Sequence, residues 1–320
     1  MSVKLIASDL DGTLLTDDKK ISEMTRQMIS LAAGQGIQIV PATGRAFSSV
    51  PEEVLALPGV EYVITSNGAA IYSVSQGKRI YSCPLEAASV EEILTMDELV
   101  RMDKITLMDG RTSKDGIASM AGGQMYSCEA LDGLIETDDG KTQNRYSALT
   151  IEGFIDGVPY SEASYLENPG KYGATGFGIG YVKRTRTPVQ DIRSFLREHK
   201  SELDSLSVVS ADYSLLAHCK EVMEKTIPFI QTTSSVPHLL EIVHARSGKG
   251  NTLSYLLDEL GIAPEEAAAF GDAYNDLDMI CLVKYGIAVG NAVETCKSAA
   301  YLVTDSNEED GVAKAIRQII

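Results

Sequence analysis

The feature that most constrains the fold is the stretch of residues 3–17, VKLIASDLDGTLLTD. Its apolar start, residues 3–7, is typical of a buried parallel strand. Two carboxylates follow at once, Asp9 and Asp11, and residues two apart on an extended backbone project to the same face. Open α/β sheets bind ligands at the carboxyl ends of their strands. The stretch therefore predicts an α/β fold in which both acids border one crevice.

The two neighbouring carboxylates predict a bound cation. They repel each other unless a cation joins them or one of them keeps a proton. Mg²⁺ suits such a pair because it accepts carboxylate, backbone carbonyl and phosphate oxygens in one octahedral shell. Gly12 allows a sharp turn after the acids, and Thr13 offers a hydroxyl to that turn. An Asp-x-Asp pair alone is more often a simple acidic turn, so the prediction depends on partners further along the chain.

Length, charge and cysteine content narrow the class of protein. A chain of 320 residues is long for a single core, and two domains are expected. The net charge of −17 argues against nucleic acid as a partner and requires any site for an anionic substrate to be locally cationic. No apolar run has the length of a membrane span, and no apolar signal segment precedes the first strand. The five scattered cysteines lack a CxxC pair, which favours reduced thiols in the cytoplasm.

A second strand-end motif follows the first predicted helix. The apolar residues 37–40 lead into the turn at residues 41–45, PATGR. A strand–helix–strand unit implies parallel pairing with a right-handed crossover, so this turn lies beside the first acidic motif. The Thr43 hydroxyl and the Gly44 N–H can together hold a phosphoryl oxygen. Taken alone, the same residues are equally typical of a strand-ending turn.

Residues 83–240 differ in pattern from the flanking segments and are predicted to form an inserted α+β domain. An amphipathic helix at residues 86–100 precedes short strand-like runs separated by glycines, among them residues 105–108 and 177–182. The region contains no acid pair at a strand end. We therefore expect one core made of residues 1–82 and 241–320, interrupted by this insertion.

Some weaker candidates for substrate contacts lie outside these motifs. Asn67 follows the strand-like run 62–65, where either a substrate ligand or a plain turn is expected. The glycine-rich residues 170–180 predict a flexible hairpin, and Thr187-Pro188 predicts the start of a helix. Between them lie three basic residues on a predicted strand, which either bind an anionic substrate or are solvated surface charges: Lys183, Arg184 and Arg186.

Two further motifs occupy the C-terminal part of the chain. Lys249 opens a helix, and a lysine there opposes the helix dipole unless an anion is bound nearby. The apolar residues 267–270 then lead into a second acidic cluster, which contains Asp272, Asn275, Asp276 and Asp278. A capped turn accounts for Asn275 or Asp276 singly. It does not account for two such clusters, each directly following an apolar strand.

In this order, the motifs resemble those of the haloacid dehalogenase-like (HAD) hydrolases, and they are most similar to the Cof-type phosphatases. Residues 9–15 (DLDGTLL) resemble the first motif, and Thr43-Gly44-Arg45 resembles the second. Lys249-Gly250 resembles the third motif, and residues 271–279 (GDAYNDLDM) resemble the fourth. The resemblance covers about half the chain. It implies a Rossmann-like core with a central parallel sheet and an inserted α+β cap that selects the substrate.

The resemblance also implies a role for each motif residue. Asp9 is the expected nucleophile, since a carboxylate is already ionised at neutral pH. Asp11 is the expected general acid and base. The expected phosphate-binding residues are Thr43, Gly44, Arg45 and Lys249. The expected Mg²⁺ ligands are Asp9, the backbone carbonyl of Asp11, and Asp272, supported by Asn275 or Asp276.

We therefore expect a Mg²⁺-dependent phosphatase acting on a small phosphorylated metabolite, with sugar phosphates as the foremost class. A phosphomutase or phosphotransferase of the phosphomannomutase type would use the same phosphoaspartate. A non-catalytic sensor of phosphorylated ligands is a third alternative, and it predicts at least one damaged motif. The sequence does not predict the substrate, the cap residues that select it, or the oligomeric state.

Overall fold

The computed structural model describes residues 3–101, 119–121, 124–126, 134–136, 142–144 and 149–320. Its strands, in chain order, are β1 (Leu5–Ser8), β2 (Gln38–Pro41), β3 (Tyr62–Thr65), β4 (Ala70–Ser73), β5 (Lys78–Ser82), β6 (Ser119–Ala121), β7 (Gln124–Tyr126), β8 (Leu134–Glu136), β9 (Thr142–Asn144), β10 (Leu149–Ile155), β11 (Val158–Glu162), β12 (Thr187–Val189), β13 (Leu203–Ser210), β14 (Ile230–Thr233), β15 (Leu239–His244), β16 (Ala267–Gly271), β17 (Tyr285–Ala288) and β18 (Leu302–Val303). Its α-helices are α1 (Glu23–Gly34), α2 (Glu52–Leu55), α3 (Ala87–Arg101), α4 (Ala163–Glu167), α5 (Phe177–Thr185), α6 (Ile192–Glu198), α7 (Tyr213–Thr226), α8 (Lys249–Leu260), α9 (Leu277–Leu282), α10 (Glu294–Ala299) and α11 (Gly311–Ile319).

The first of two large sheets is parallel and five-stranded, with the strand order β18-β17-β16-β1-β2. Every residue of β1 is buried, and its apolar side chains alternate between two different clusters. Ile6 packs with residues of α1 and α11 on one face, and Leu5 packs with residues of α8 on the other. Burial on both faces explains the continuous apolar run in the sequence. The predicted α/β fold with a central parallel sheet is confirmed.

A second, mixed sheet has the order β12-β11-β10-β13-β15-β14. Its pairs are antiparallel except for β11 with β12. Apolar residues of α3, α6 and α7 cover it and form a separate core. This is the α+β region predicted between the two halves of the core. The chain was expected to return to the core at residue 241. Instead β15, which includes residue 241, pairs with β13 and β14 and so belongs to this second sheet.

The glycine-rich segment differs from its prediction. Residues 170–180 were expected to form a hairpin, and residues 177–182 a strand. Instead a 3₁₀ turn at Pro169–Tyr172 is followed by the helix α5. Gly173 and Gly176 lie between the two with φ of 101° and 48°, so glycine serves here to end one helical turn and begin the next. The prediction was wrong because packing of Val182 against Tyr165 and Val209 outweighs the low helix propensity of glycine.

The segment after α5 also differs from its prediction. Thr187-Pro188 was expected to start a helix, but these residues begin β12, and the helix α6 starts at Ile192. Proline has no backbone N–H to donate to a neighbouring strand. It is tolerated here because β12 is an edge strand, with a neighbouring strand on one side only. The strand expected at residues 105–108 lies outside the described residues. Among the described residues, no helix is long and apolar enough to cross a membrane.

Candidate active site

The two acidic motifs meet at one edge of the parallel sheet. Asp9 follows β1 and Asp272 follows β16, and these strands pair in parallel with Ser8 opposite Phe270. Carboxylate oxygens of Asp9, Asp272 and Asp276 all lie within 4.8 Å of one another. The Thr13 hydroxyl donates to Asp272 Oδ1 at 2.8 Å, which ties the first motif to the last.

Gly12 makes this approach of the two motifs possible. Its φ is +88°, and a Cβ atom at this position would lie 2.8 Å from Asp272 Oδ2. A side chain would therefore both strain the turn and push Asp272 away.

Lys249, the first residue of α8, has no exposed surface and lies between two of the acids. Its Nζ donates to Asp9 Oδ1 and to Asp276 Oδ1, each at 2.6 Å. Burial alone lowers the pKa of Lys249, but the carboxylates of Asp276 and Asp9 outweigh it and hold that pKa above its ordinary value. The side chain is thus an ammonium ion that neutralises one of the clustered charges.

The cluster still carries more negative than positive charge. Burial, followed by the charges of Asp276 and Asp272, outweighs the opposing effect of Lys249 and raises the pKa of Asp9. Burial and the charge of Asp276 raise the pKa of Asp272 to about 6. Asp276 Oδ2 accepts the backbone N–H groups of Asp272 and Ala273 at 2.9 and 3.0 Å, so its position is fixed. An oxygen-only site with surplus negative charge fits a hard divalent cation.

Asp11 points toward a different partner from Asp9. The Arg45 guanidinium donates to both of its oxygens at 2.7 Å, and Lys19 Nζ lies 3.0 Å away. Burial raises the pKa of Asp11, but Arg45 and Lys19 outweigh it, so the pKa lies below its ordinary value. The guanidinium of Arg45 also lies 5.0 Å from the ring centre of Tyr181, on helix α5.

The turn after β2 lies at the same sheet edge, because Pro41 pairs with Ser8. Thr43 is buried, and its Oγ1 accepts the backbone N–H of Arg45 at 3.1 Å. A Cβ atom at Gly44 would lie 3.0 Å from Asn67 Oδ1, so the turn packs closely on that side chain.

Asn67 links the turn to the second acidic motif. Its Nδ2 donates to Glu241 Oε1 at 3.1 Å, and its Oδ1 accepts from Asn275 Nδ2 at 2.9 Å. Glu241 was not predicted as a site residue. The signal that could have indicated it is a single acid inside the apolar run 239–243, LLEIV.

The three basic candidates of the inserted region lie on or just after α5, not on a strand. Arg186 is almost fully buried and donates two hydrogen bonds of 2.9 Å to Glu152. Lys183 donates to the backbone oxygen of Glu167 at 3.2 Å, and Arg184 lies over the ring of Phe177. Arg186 thus joins the end of α5 to β10, and it also lies 5.2 Å from the ring centre of Tyr181, the ring that packs on Arg45.

A family model described as haloacid dehalogenase-like hydrolase matches residues 6–112 and 165–316, which is more than half of the chain. The chain belongs to the haloacid dehalogenase-like hydrolase family. The predicted HAD membership of Cof type is confirmed.

Known HAD proteins match the chain over nearly its whole length. The 5-amino-6-(5-phospho-D-ribitylamino)uracil phosphatase YwtE of Bacillus subtilis is 29% identical, over 99% of this chain and 98% of its own. Phosphatase YwpJ of the same organism is 27% identical, over 99% of this chain and 100% of its own. The crystal structure of a HAD-like hydrolase from Bacteroides thetaiotaomicron superposes with a TM-score of 0.71 at 25% identity, covering 100% of both chains. The protein is a phosphatase of the HAD type, a phosphoric monoester hydrolase.

Proposed function

We propose that this HAD protein is a Mg²⁺-dependent phosphatase that hydrolyses a sugar phosphate or a similar polyol phosphate through an aspartyl-phosphate on Asp9. The observation that carries the proposal is the meeting of Asp9, Asp272 and Asp276 around the buried ammonium of Lys249. The substrate class is supported by the name of the relative YwtE, whose substrate carries its phosphate on a ribityl chain.

The residues that would hold Mg²⁺ are Asp9, Asp272 and Asp276, with the backbone carbonyl of Asp11 and the side chain of Asn275 in support. All of these donors are oxygens, and burial with the neighbouring acids raises the pKa of Asp9 despite the charge of Lys249, so a cation here would keep the nucleophile ionised. When bound, the ion reduces the repulsion between the nucleophile and the phosphate and stabilises the charge of the transition state.

The chain's own residues carry the two chemical steps. An oxygen of Asp9 forms a bond to phosphorus as the bond to the leaving oxygen breaks, and Asp11 gives that oxygen a proton. Water then attacks the phosphorus and gives a proton to Asp11, which releases phosphate and regenerates the Asp9 carboxylate. Lys249 keeps Asp9 in position through a 2.6 Å hydrogen bond, and its charge stabilises the transferring oxygens.

Arg45 has two partners in this scheme. Its pairing with Asp11 keeps that carboxyl ionised before substrate binds. We propose that the substrate phosphate draws the guanidinium away, while Thr43 and Gly44 orient the phosphoryl oxygens. Asp11 can then take up the proton that the leaving oxygen needs.

We also propose that the second sheet and its helices form the substrate-selecting cap. Because β15 pairs within that sheet, we place the cap at residues 83–244 and the core at 1–82 and 245–320. Two contacts bring cap residues to the site: Tyr181 lies on Arg45, and Glu241 accepts from Asn67. A cap in this position excludes bulk water and touches the leaving group.

A metabolite panel with Mg²⁺ tests the proposal. Release of inorganic phosphate from sugar or polyol phosphates supports it, and Asp9→Asn should abolish that release while the protein stays folded. Formation of an isomeric phosphate without free phosphate would indicate the phosphomutase instead. Binding without turnover would indicate a sensor, although every motif residue expected of an enzyme is present in this chain.

A further inference from the structure

A buried carboxylate from the second sheet reaches the candidate site without a role in the chemistry described above. Glu241 lies on β15 and is only 8% exposed. Its Oε1 accepts from Asn67 Nδ2 at 3.1 Å, and its Oε2 accepts the backbone N–H of Ser235 at 2.8 Å. A Cβ atom at Gly44 would lie 3.2 Å from Oε1, so the carboxylate borders the turn proposed to hold phosphate.

Both hydrogen bonds run toward Glu241, because each of its carboxyl oxygens accepts from an N–H group, one of Asn67 and one of Ser235. Asn67 therefore turns its Nδ2 toward Glu241, and its Oδ1 is left to accept from Asn275 Nδ2 at 2.9 Å. Asn275 in turn directs its Oδ1 away from Asn67.

The Oδ1 atom at the end of this chain is buried and has no hydrogen-bond partner in the part of the protein that the structure describes. Leaving a buried acceptor unsatisfied costs about 1–3 kcal/mol, so such an atom calls for a donor or a cation from outside the chain. Asn275 precedes Asp276, one of the three clustered acids.

We propose that Glu241 is a positioning residue that sets the direction of the chain Glu241–Asn67–Asn275. It thereby presents Asn275 Oδ1 to the divalent cation, either as a direct ligand or as the acceptor of a hydrogen bond from a metal-bound water. The inference rests on the proposed function, because the site is taken to bind that cation. It also gives the cap a specific effect on the metal site, since Glu241 is a cap residue.

The substitution Glu241→Gln reverses the chain. The Ser235 N–H requires an acceptor, so the glutamine oxygen faces Ser235 and its NH₂ group faces Asn67. The glutamine NH₂ group and Asn67 Nδ2 are then two donors facing each other, which is relieved when the Asn67 amide flips. The Asn275 amide must flip as well, and it then directs Nδ2, in place of Oδ1, away from Asn67.

Two other variants separate direction from charge. Glu241→Met removes the same charge as Glu241→Gln but offers Asn67 no competing donor, so the chain keeps its direction. The double variant Glu241→Gln with Asn67→Asp restores the wild-type net charge and the direction, because the carboxylate introduced at position 67 accepts both from the glutamine amide at position 241 and from Asn275.

The readout is the affinity for Mn²⁺ without substrate, measured by electron paramagnetic resonance of free Mn²⁺, with folding checked by circular dichroism. We expect Glu241→Gln to bind about 10-fold more weakly than wild type, as is usual when a group supporting a metal ligand is lost. Glu241→Met should bind more tightly than Glu241→Gln, and the double variant should lie within about threefold of wild type. Glu162→Gln is a matched control on the same sheet, because Glu162 pairs instead with Arg193 at 3.3 Å.

Each outcome decides the inference. Wild-type affinity for Mn²⁺ in Glu241→Gln overturns it. Equal loss of affinity in Glu241→Gln and Glu241→Met also overturns it, because the lost charge would then explain the whole change. If Glu241→Gln does not fold, the double variant alone decides, and a folded double variant that binds Mn²⁺ about 10-fold more weakly than wild type overturns the inference. A wild-type protein that binds no Mn²⁺ contradicts the proposed function as well.

Discussion

Replacing Lys249 with methionine tests whether a buried ammonium holds the acidic cluster together. The Lys249 side chain has no exposed surface, and its Nζ lies 2.6 Å from one oxygen of Asp9 and one of Asp276. Methionine keeps most of the volume, so the main change is the loss of charge. Breaking a buried ion pair by removing one partner costs about 3–5 kcal/mol. We expect the free energy of unfolding in EDTA to fall by that amount.

Urea unfolding measures this loss. It is followed by far-ultraviolet circular dichroism, since the chain has no tryptophan. Mg²⁺ should restore more stability to Lys249→Met than it adds to the wild type, because a cation that binds only the folded state stabilises it and the variant cluster is more negative. Turnover should also fall by about 10²–10³-fold, as the transferring oxygens lose a fixed charge.

The control is Lys4→Met, which removes a lysine from an exposed pair with Glu266 and should change stability little. If Lys249→Met in EDTA lost no more stability than this control, the reasoning would be refuted. The carboxylates would then be compensated by something other than Lys249.

Three further predictions follow from the same structure. Gly68→Ala should lower the free energy of unfolding by about 3 kcal/mol or more, because φ at Gly68 is +88° and the new Cβ would lie 2.2 Å from the carbonyl oxygen of Gly248. Gly34→Ala is the control in the same urea titration, because a Cβ at Gly34 would have no atom within 4 Å. Burial raises the pKa of Asp204 to about 6 despite its pairing with Arg79, so the folded state holds the proton at a pH where the unfolded state has released it. The stability that this group contributes therefore falls as pH rises toward and through 6. The unfolding free energy of the wild type, less that of Asp204→Asn, should decrease by about 1.3 kcal/mol between pH 5 and pH 7. A difference that stays constant over this range would contradict the prediction. Finally, EDTA should abolish phosphate release and added Mg²⁺ should restore it, whereas full activity in EDTA would exclude a role for the ion.

The acidic strand ends could be predicted from the sequence because the relevant geometry is local and repetitive. Asp9 and Asp272 each follow a short apolar run, and parallel strands bring their carboxyl ends to one edge. Lys249 was predicted from its place at a helix start. Its complete burial between Asp9 and Asp276 is a tertiary fact that no spacing in the sequence shows.

The contacts of the second sheet could not be predicted in the same way. Helix α5 forms in a glycine-rich segment because Val182 packs against Tyr165 and Val209, which lie far away in the sequence. Glu241 contacts Asn67 because β15 pairs with β13 and β14, and pairing between distant strands fixes which side chain faces the core. Arg186, a predicted substrate contact, follows α5 and is buried against Glu152 of β10, a contact between residues 34 positions apart in the sequence.

The most direct test of the account is to trap the covalent intermediate. The protein is mixed with para-nitrophenyl phosphate carrying ³²P and with Mg²⁺, quenched in acid within the first turnover, and digested for peptide mapping. We expect the label on the peptide that contains Asp9, as an acid-stable acyl phosphate that hydroxylamine releases, and no label in Asp9→Asn. Label on another residue, or normal turnover by Asp9→Asn, would contradict the account.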